Sequence, residues 1–184
     1  QPSSIQNQEA NEMSHLGKYA TRIAGRIDQV SVIVGRACSY MVLLSIALIT
    51  ISVILRYFFS RTYVALDEIQ YYCYSIIFLF GFSYVYKEDG HIKVDIINSR
   101  LSEKKKHLIN LLGTLCLTIP WTATVCYYAF RYFQRSYAVS ERSTQPTGLP
   151  ALYILKFILF LAFVLLLLQS IAKAIHAFSR RQTE

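Results

Sequence analysis

Few side chains in this sequence have the type and placement to do chemistry, and they lie far apart. Lys156 is the one charge within the apolar run 149–172. An ionisable group in such a run is a functional candidate, because a charge at a bilayer centre costs about 2.5–3.5 kcal/mol on insertion scales. Lys156 lies about seven residues into the run, roughly 10 Å along a helix. That depth predicts either snorkelling to the headgroups or a structural ion pair. Arg56 and Glu68 flank a short turn between two apolar runs and are placed to pair. No second carboxylate or histidine faces Glu68, so acid–base catalysis is not indicated. His15, His91, His107 and His176 all fall outside the apolar runs, which excludes paired haem ligands within spans. No Ser–His or paired-Asp site lies at membrane depth. Phosphate loops, nucleotide fingerprints and metal clusters are missing from the sequence. Cys38, Cys73, Cys116 and Cys126 lie in or beside the apolar runs without a CxxC motif, and they read as buried packing residues. The residues therefore assign no catalytic, substrate-binding, cofactor-binding or metal-binding site, and no enzymatic activity.

The elements that must position these residues are four long apolar runs. Residues 37–55, 69–86 and 108–130 contain no charge, and 149–172 contains only Lys156. Crossing a bilayer core takes about 20 apolar residues at about 1.5 Å each. The expected fold is an all-α integral membrane protein with four transmembrane helices and an N-terminal amphipathic interfacial helix. Of the 184 residues, 54% are hydrophobic and 16% charged, which suits a membrane bundle. The first apolar run is too long for a secretory signal and lacks a small-residue cleavage site.

The net charge of +8 follows the positive-inside rule, so no nucleic-acid partner is inferred. Lys18, Arg22, Arg26 and Arg36 precede the first run. Lys87, Lys93, Arg100, Lys104, Lys105 and Lys106 occupy the middle connection, and Lys173, Arg180 and Arg181 the C-terminal end. The first connection holds only Arg56 and Arg61, and the third only Arg131, Arg135 and Arg142. Both termini and the middle loop are expected on the cytoplasmic side.

In chain order, residues 1–14 read as a polar, poorly ordered tail. Residues 15–36 read as an amphipathic helix lying in the interface plane, with Leu16, Ala20, Ile23, Ile27, Val30 and Val34 as its apolar stripe, facing lipid or a partner. The four-helix membrane domain covers 37–178, with spans at about 37–58, 68–87, 107–131 and 150–174. Residues 179–184 form a cytoplasmic tail. Asp67 is expected to cap the second span, Gly81 to permit close helix contact, and Ser102 to cap the third helix. Pro120 is expected to kink the third span, with neighbouring helices absorbing the freed carbonyl. Pro150 suits the first turn of the fourth. The sequence shows no inverted repeat of broken helices, the usual framework of a transporter's own substrate site. A four-span chain without chemistry of its own most simply supports another membrane protein. The alternative is a stand-alone homo-oligomeric four-helix channel or exporter, which the unpolar fourth run opposes.

Three stretches then carry a family resemblance over about residues 30–175. They are Arg56-Tyr57-Phe58 with Asp67-Glu68; Gly81 followed by Gly90-His91-Ile92-Lys93-Val94-Asp95; and Glu141-x-Ser143 with Gly148-Leu149-Pro150, Lys156 and Leu168-Gln169. In that order on four spans, the chain resembles the small membrane subunit of tripartite ATP-independent periplasmic (TRAP) transporters, the DctQ-like family. It departs from the pattern at Ala65-Leu66, where a tryptophan is common, and at Phe157-Ile158, where a proline often follows the lysine. The resemblance implies a bacterial inner-membrane protein that scaffolds a large multispan subunit holding the substrate and sodium sites. It further implies a periplasmic substrate-binding protein that delivers an organic acid. On this reading Arg56, Asp67, Glu68, Gly81, Gly90, His91, Asp95, Glu141, Gly148, Pro150 and Lys156 are structural or partner-contact candidates. Arg61, Arg135 and Arg142 are candidates for docking the periplasmic protein, and membrane lipids are further partners.

Overall fold

The computed structural model describes residues 2–88 and 103–181, and within these it leaves the side chains of 2–18, 103–105, 107, 180 and 181 undescribed. The described residues are helical, with no strand among them. Helix α1 runs Pro2–Phe59 and α2 Val64–Lys87. Helix α3, Glu103–Gly113, continues through a π-helical turn at Thr114–Thr118 into α4, Ile119–Ala138. Helix α5 runs Leu152–Arg181. Three stretches are long and apolar enough to cross a membrane: Tyr19–Phe59, Leu108–Ala138 and Leu152–Ser179. Helix α2 is not among them, because tyrosines and a glutamine dilute its apolar run.

Two antiparallel hairpins, α1–α2 and α4–α5, make the largest contacts. Helix α5 also packs on α1 and α2, whereas α4 contacts neither to a comparable extent. The buried core follows from that central position: Ala162, Leu165, Leu166 and Ala172 of α5 are all buried. The α4–α5 seam is an aromatic zipper. Trp121 meets Phe163, Phe130 meets Phe160, Phe133 meets Phe157 and Tyr137 meets Tyr153, with ring centroids 5.0–6.0 Å apart. Such pairs contribute about 0.5–1.5 kcal/mol each beyond their buried area.

Several expectations change here. Helix α1 is continuous from Pro2, so residues 1–14 contain no separate coil from position 2 onward, and no break marks the boundary expected at 36/37. The described membrane-compatible part of α1 has 41 residues, about 60 Å of helix, where a bilayer core needs about 30 Å. Ile23 and Val30 of the apolar stripe are exposed, while Ala24, Ser31, Gly35 and Cys38 form the buried seam. Small residues there let the helices approach closely.

Helix α2 starts at Val64, with Tyr63 at the capping position and no side-chain cap. Asp67 is therefore in its first turn and spends its carboxylate elsewhere. The proline expectation is also revised. Pro120 cannot donate to the carbonyl four residues back. The chain accommodates this within the helix through the π turn, where Ile119 N–H reaches Thr114 O. Thr118 Oγ1 donates to Gly113 O at 3.4 Å, Thr122 Oγ1 to Thr118 O at 2.7 Å and Thr124 Oγ1 to Pro120 O at 2.8 Å. These hydroxyls brace the turns on either side of Pro120 from within the helix. Cys38 and Cys73 are buried, but Cys116 is exposed and Cys126 half-buried, so the packing role covers only the first pair.

The close-contact glycine is Gly35 and not Gly81. A Cβ at Gly81 would meet nothing within 4 Å, whereas one at Gly35 would lie 2.6 Å from the Tyr84 ring. Gly35→Ala is expected to destabilise the α1–α2 hairpin by about 1–3 kcal/mol, while Gly81→Ala leaves it unchanged. Thermal unfolding of the detergent-solubilised variants checks both.

Candidate functional site

Polar side chains gather at the two ends of the bundle. The first cluster surrounds the α1–α2 turn and the α4–α5 loop. Helix α4 ends at Ala138, and the chain leaves it through Ser140 in a left-handed conformation (φ 46°), with Glu141 N–H bonded to Ser136 O at 3.0 Å. That closure turns the chain so that Glu141 faces α5. Its carboxylate accepts a hydrogen bond and ion pair from Lys156 Nζ, and its backbone oxygen accepts Leu152 N–H at 3.1 Å, serving the open start of α5. Lys156 is 8% exposed and lies 3.8 Å above the Tyr132 ring centroid. Lys156 is the buried member of this ion pair, and Glu141 is about one-third exposed. Lys156 beside it holds the Glu141 carboxyl below the ordinary range, helped by Ser136.

Glu68 binds the same loop from the other hairpin. It accepts a hydrogen bond from Ser143 Oγ and, at 2.5 Å, from Leu149 N–H. Ser143 N–H donates to Leu149 O at 3.1 Å, closing the loop on itself. Gly148 is fixed by this arrangement, because a Cβ there would come within 2.6 Å of Glu68 Oε1. The pairing expected between Arg56 and Glu68 is corrected: Arg56 Nη2 meets Asp67 Oδ2 at 3.5 Å, and Ser52 Oγ donates to Asp67 Oδ1 at 2.9 Å. Asp67 and Glu68 are successive residues on a helix, so they face directions about 100° apart and serve different neighbours. Tyr72 OH adds a 3.4 Å bond to Ala151 O. Pro150 is exposed and precedes α5 by two residues. Arg61, Arg135 and Arg142 are exposed. Gly90, His91 and Asp95 lie outside the described residues, as do Ser102 and the tip of the middle loop.

The second cluster joins α1 to the C-terminal half of α5. Asp28 Oδ1 accepts from Gln169 Nε2 at 2.7 Å, and Asp28 Oδ2 meets His176 Nε2 at 2.9 Å. Ser31 Oγ donates to Gln169 Oε1 at 2.6 Å. Gln169 is 2% exposed and Ser31 fully buried, so these bonds replace water completely for both. Nearby, Lys173 Nζ donates to Tyr86 O at 3.3 Å. Sequence reasoning placed His176 at the periphery and passed over Asp28 and Ser31. The available signal was Asp28 itself, the one acidic residue between Glu12 and Asp67.

In both clusters the carboxylates accept bonds from other protein groups, and among the described residues no group of three His, Cys, Asp or Glu could hold a metal ion. What the clusters do is mechanical: the first ties the α4–α5 loop to the α1–α2 turn, and the second ties α1 to α5.

Comparison with known proteins follows the same pattern. The family described as "Tripartite ATP-independent periplasmic transporters, DctQ component" matches residues 45–180. A Haemophilus influenzae (strain Rd) protein named as a candidate TRAP transporter small permease protein is 28% identical over 88 residues. That alignment covers 46% of this chain and 53% of that protein, so the chain spans about half the relative's length. No solved structure gives a significant match.

Removing one partner of a buried ion pair costs more than removing both. Glu141→Gln leaves the buried Lys156 ammonium without its partner and is therefore expected to lower the thermal midpoint, with Glu141→Gln/Lys156→Met recovering most of the loss. Because the folded-state Glu141 carboxyl is depressed below 4.5, its stabilisation is complete above that pH and is lost as pH falls further. The wild-type midpoint should accordingly decline below about pH 4.5 more steeply than that of the double variant. Gly148→Ala should separate Glu68 from the loop, read as faster proteolysis of 141–150 in solubilised protein.

Proposed function

This chain belongs to the DctQ component family of tripartite ATP-independent periplasmic transporters, and from that membership we propose the task its two polar clusters serve. It is the small membrane subunit, a scaffold for a large multispan subunit that carries the substrate and coupling-ion sites. The transporter it completes takes up an organic acid with sodium, delivered by a periplasmic substrate-binding protein. The single observation that carries the scaffold reading is the Glu68–Ser143–Leu149 tie. It fastens a loop of one hairpin to the turn of the other and so makes one rigid outer platform. A protein whose task is to hold a partner in place benefits from such a platform, and no reacting group competes for it.

In this proposal the chain crosses the inner membrane four times with both termini cytoplasmic. Helix α2 is the fourth span, being 24 residues long and paired antiparallel with α1. The first half of α1 continues past the membrane core on the cytoplasmic side. Its exposed Ile23, Val30 and Ile33 offer an apolar strip to the inner leaflet or to the large subunit. The outer platform presents Arg61 and Arg142 to the periplasmic protein, and Arg135 one turn lower on α4.

The test is co-purification from native membranes in mild detergent, followed by binding of the periplasmic component. A large multispan protein at equal stoichiometry is the expected companion. Arg61→Glu and Arg142→Glu should weaken docking several-fold and leave the membrane complex intact. Recovery of the chain alone as a monodisperse homo-oligomer would overturn the scaffold reading in favour of a pore. Unchanged docking and uptake in both variants would remove the docking role alone.

A further inference from the structure

One face of α4 is not explained by either cluster. Tyr127, Tyr128, Arg131, Tyr132 and Arg135 line an open groove of about 420 Å³ on the helix surface. Their spacing places them together, turned away from the seam of Thr122, Ala129 and Ser136 that is buried in the bundle. The rings of Tyr127 and Tyr128 meet edge to face at 5.4 Å. Tyr132 is braced from behind by Lys156, 3.8 Å from its centroid. Neither guanidinium of the groove has a carboxylate partner among the described residues, whereas Lys156 has Glu141 and Arg56 has Asp67.

The depth of this groove identifies the ligand. The uncharged run 108–130 is 23 residues long, about 34 Å of helix, and so matches the hydrocarbon core. Arg131 is the first residue beyond it, and Arg135 lies about 6 Å further along the axis. Two arginines one turn apart, flanked by tyrosines, therefore sit at headgroup level, where tyrosine rings concentrate and where phosphate is the abundant anion. Guanidinium groups bind phosphate oxygens in bidentate geometry, and the tyrosine rings nearer the core suit the glycerol and upper acyl chain.

We infer that the Arg131–Arg135 face of α4 is a binding site for the phosphate headgroup of an anionic phospholipid. The shared chemistry is a phosphate monoanion, and the source is the bilayer rather than free phosphate, because the groove lies beside the acyl region. Arg135 then belongs to the membrane rather than to the docking surface. The inference rests on the membrane depth of Arg131; it differs from the docking proposal at Arg135 alone and leaves Arg61 and Arg142 there, so the scaffold reading and the lipid site can each fail without the other.

The experiment uses the full chain with whatever co-purifies, exchanged into nanodiscs containing phosphatidylglycerol or phosphatidylcholine, followed by native mass spectrometry. Wild type should retain phosphatidylglycerol about tenfold more than phosphatidylcholine. Arg131→Gln/Arg135→Gln should lose that preference, while Arg61→Gln/Arg142→Gln, with the same change in net charge, keeps it. A photo-crosslinker at Tyr128 should capture lipid in membranes. Equal retention of the two lipids overturns the site, and so does equal loss of phosphatidylglycerol in both double variants. Retention of inorganic phosphate without lipid, or capture of a partner protein at position 128 in place of lipid, overturns it too.

Discussion

Inside a bilayer a polar atom has no water to fall back on, so whatever protein group meets it becomes a fixed attachment. Helix α5 exploits that rule at both ends. Lys156, near its start, is satisfied by Glu141 from the preceding loop. Gln169, two-thirds of the way along, is satisfied by Ser31 and Asp28 from α1. Between these points α5 offers only apolar contact, which in lipid gives little preference for protein over acyl chains. The arrangement of the bundle therefore combines a few hydrogen-bonded carboxylates and amides with the aromatic seam of α4–α5 and the small-residue seam of α1.

That surface is disposed in an unusual way. The buried seam of α1 is made of alanine, serine, glycine and cysteine, while Tyr40, Leu43, Leu44, Ile46 and Ile51 stand exposed. In a water-soluble protein the pattern would be inverted. Here small residues bring backbones close, and the large side chains are left for lipid or for a partner's helices. A subunit with this distribution holds itself together through its smallest residues and keeps its largest for its surroundings.

Much of this was legible in the sequence. Three of the four apolar runs announce helices of spanning length. The stretch from Glu141 through Gly148 to Lys156 stood out as a set, and in space it is one. What the sequence concealed depends on rotation and register. Asp67 and Glu68 differ by a single residue, yet one turns to Arg56 and the other to Ser143. The role of Asp28 requires knowing that α1 continues unbroken well below the apolar run, and no residue at 36 or 37 signals continuity. The π turn before Pro120 is a register shift that composition does not encode. Gly35 and Gly81 are indistinguishable as letters, and only the neighbouring Tyr84 separates them.

The sparse contact between α4 and the first hairpin has a consequence for biogenesis. The α1–α2 pair emerges from the ribosome first, carrying Asp28, Ser31 and Glu68 before their partners on the α4–α5 pair have been synthesised. Until the second pair arrives, those groups face lipid or the insertion machinery with their hydrogen bonds unmade. The newborn half-protein thus carries its own mark of incompleteness, one that only the second hairpin erases.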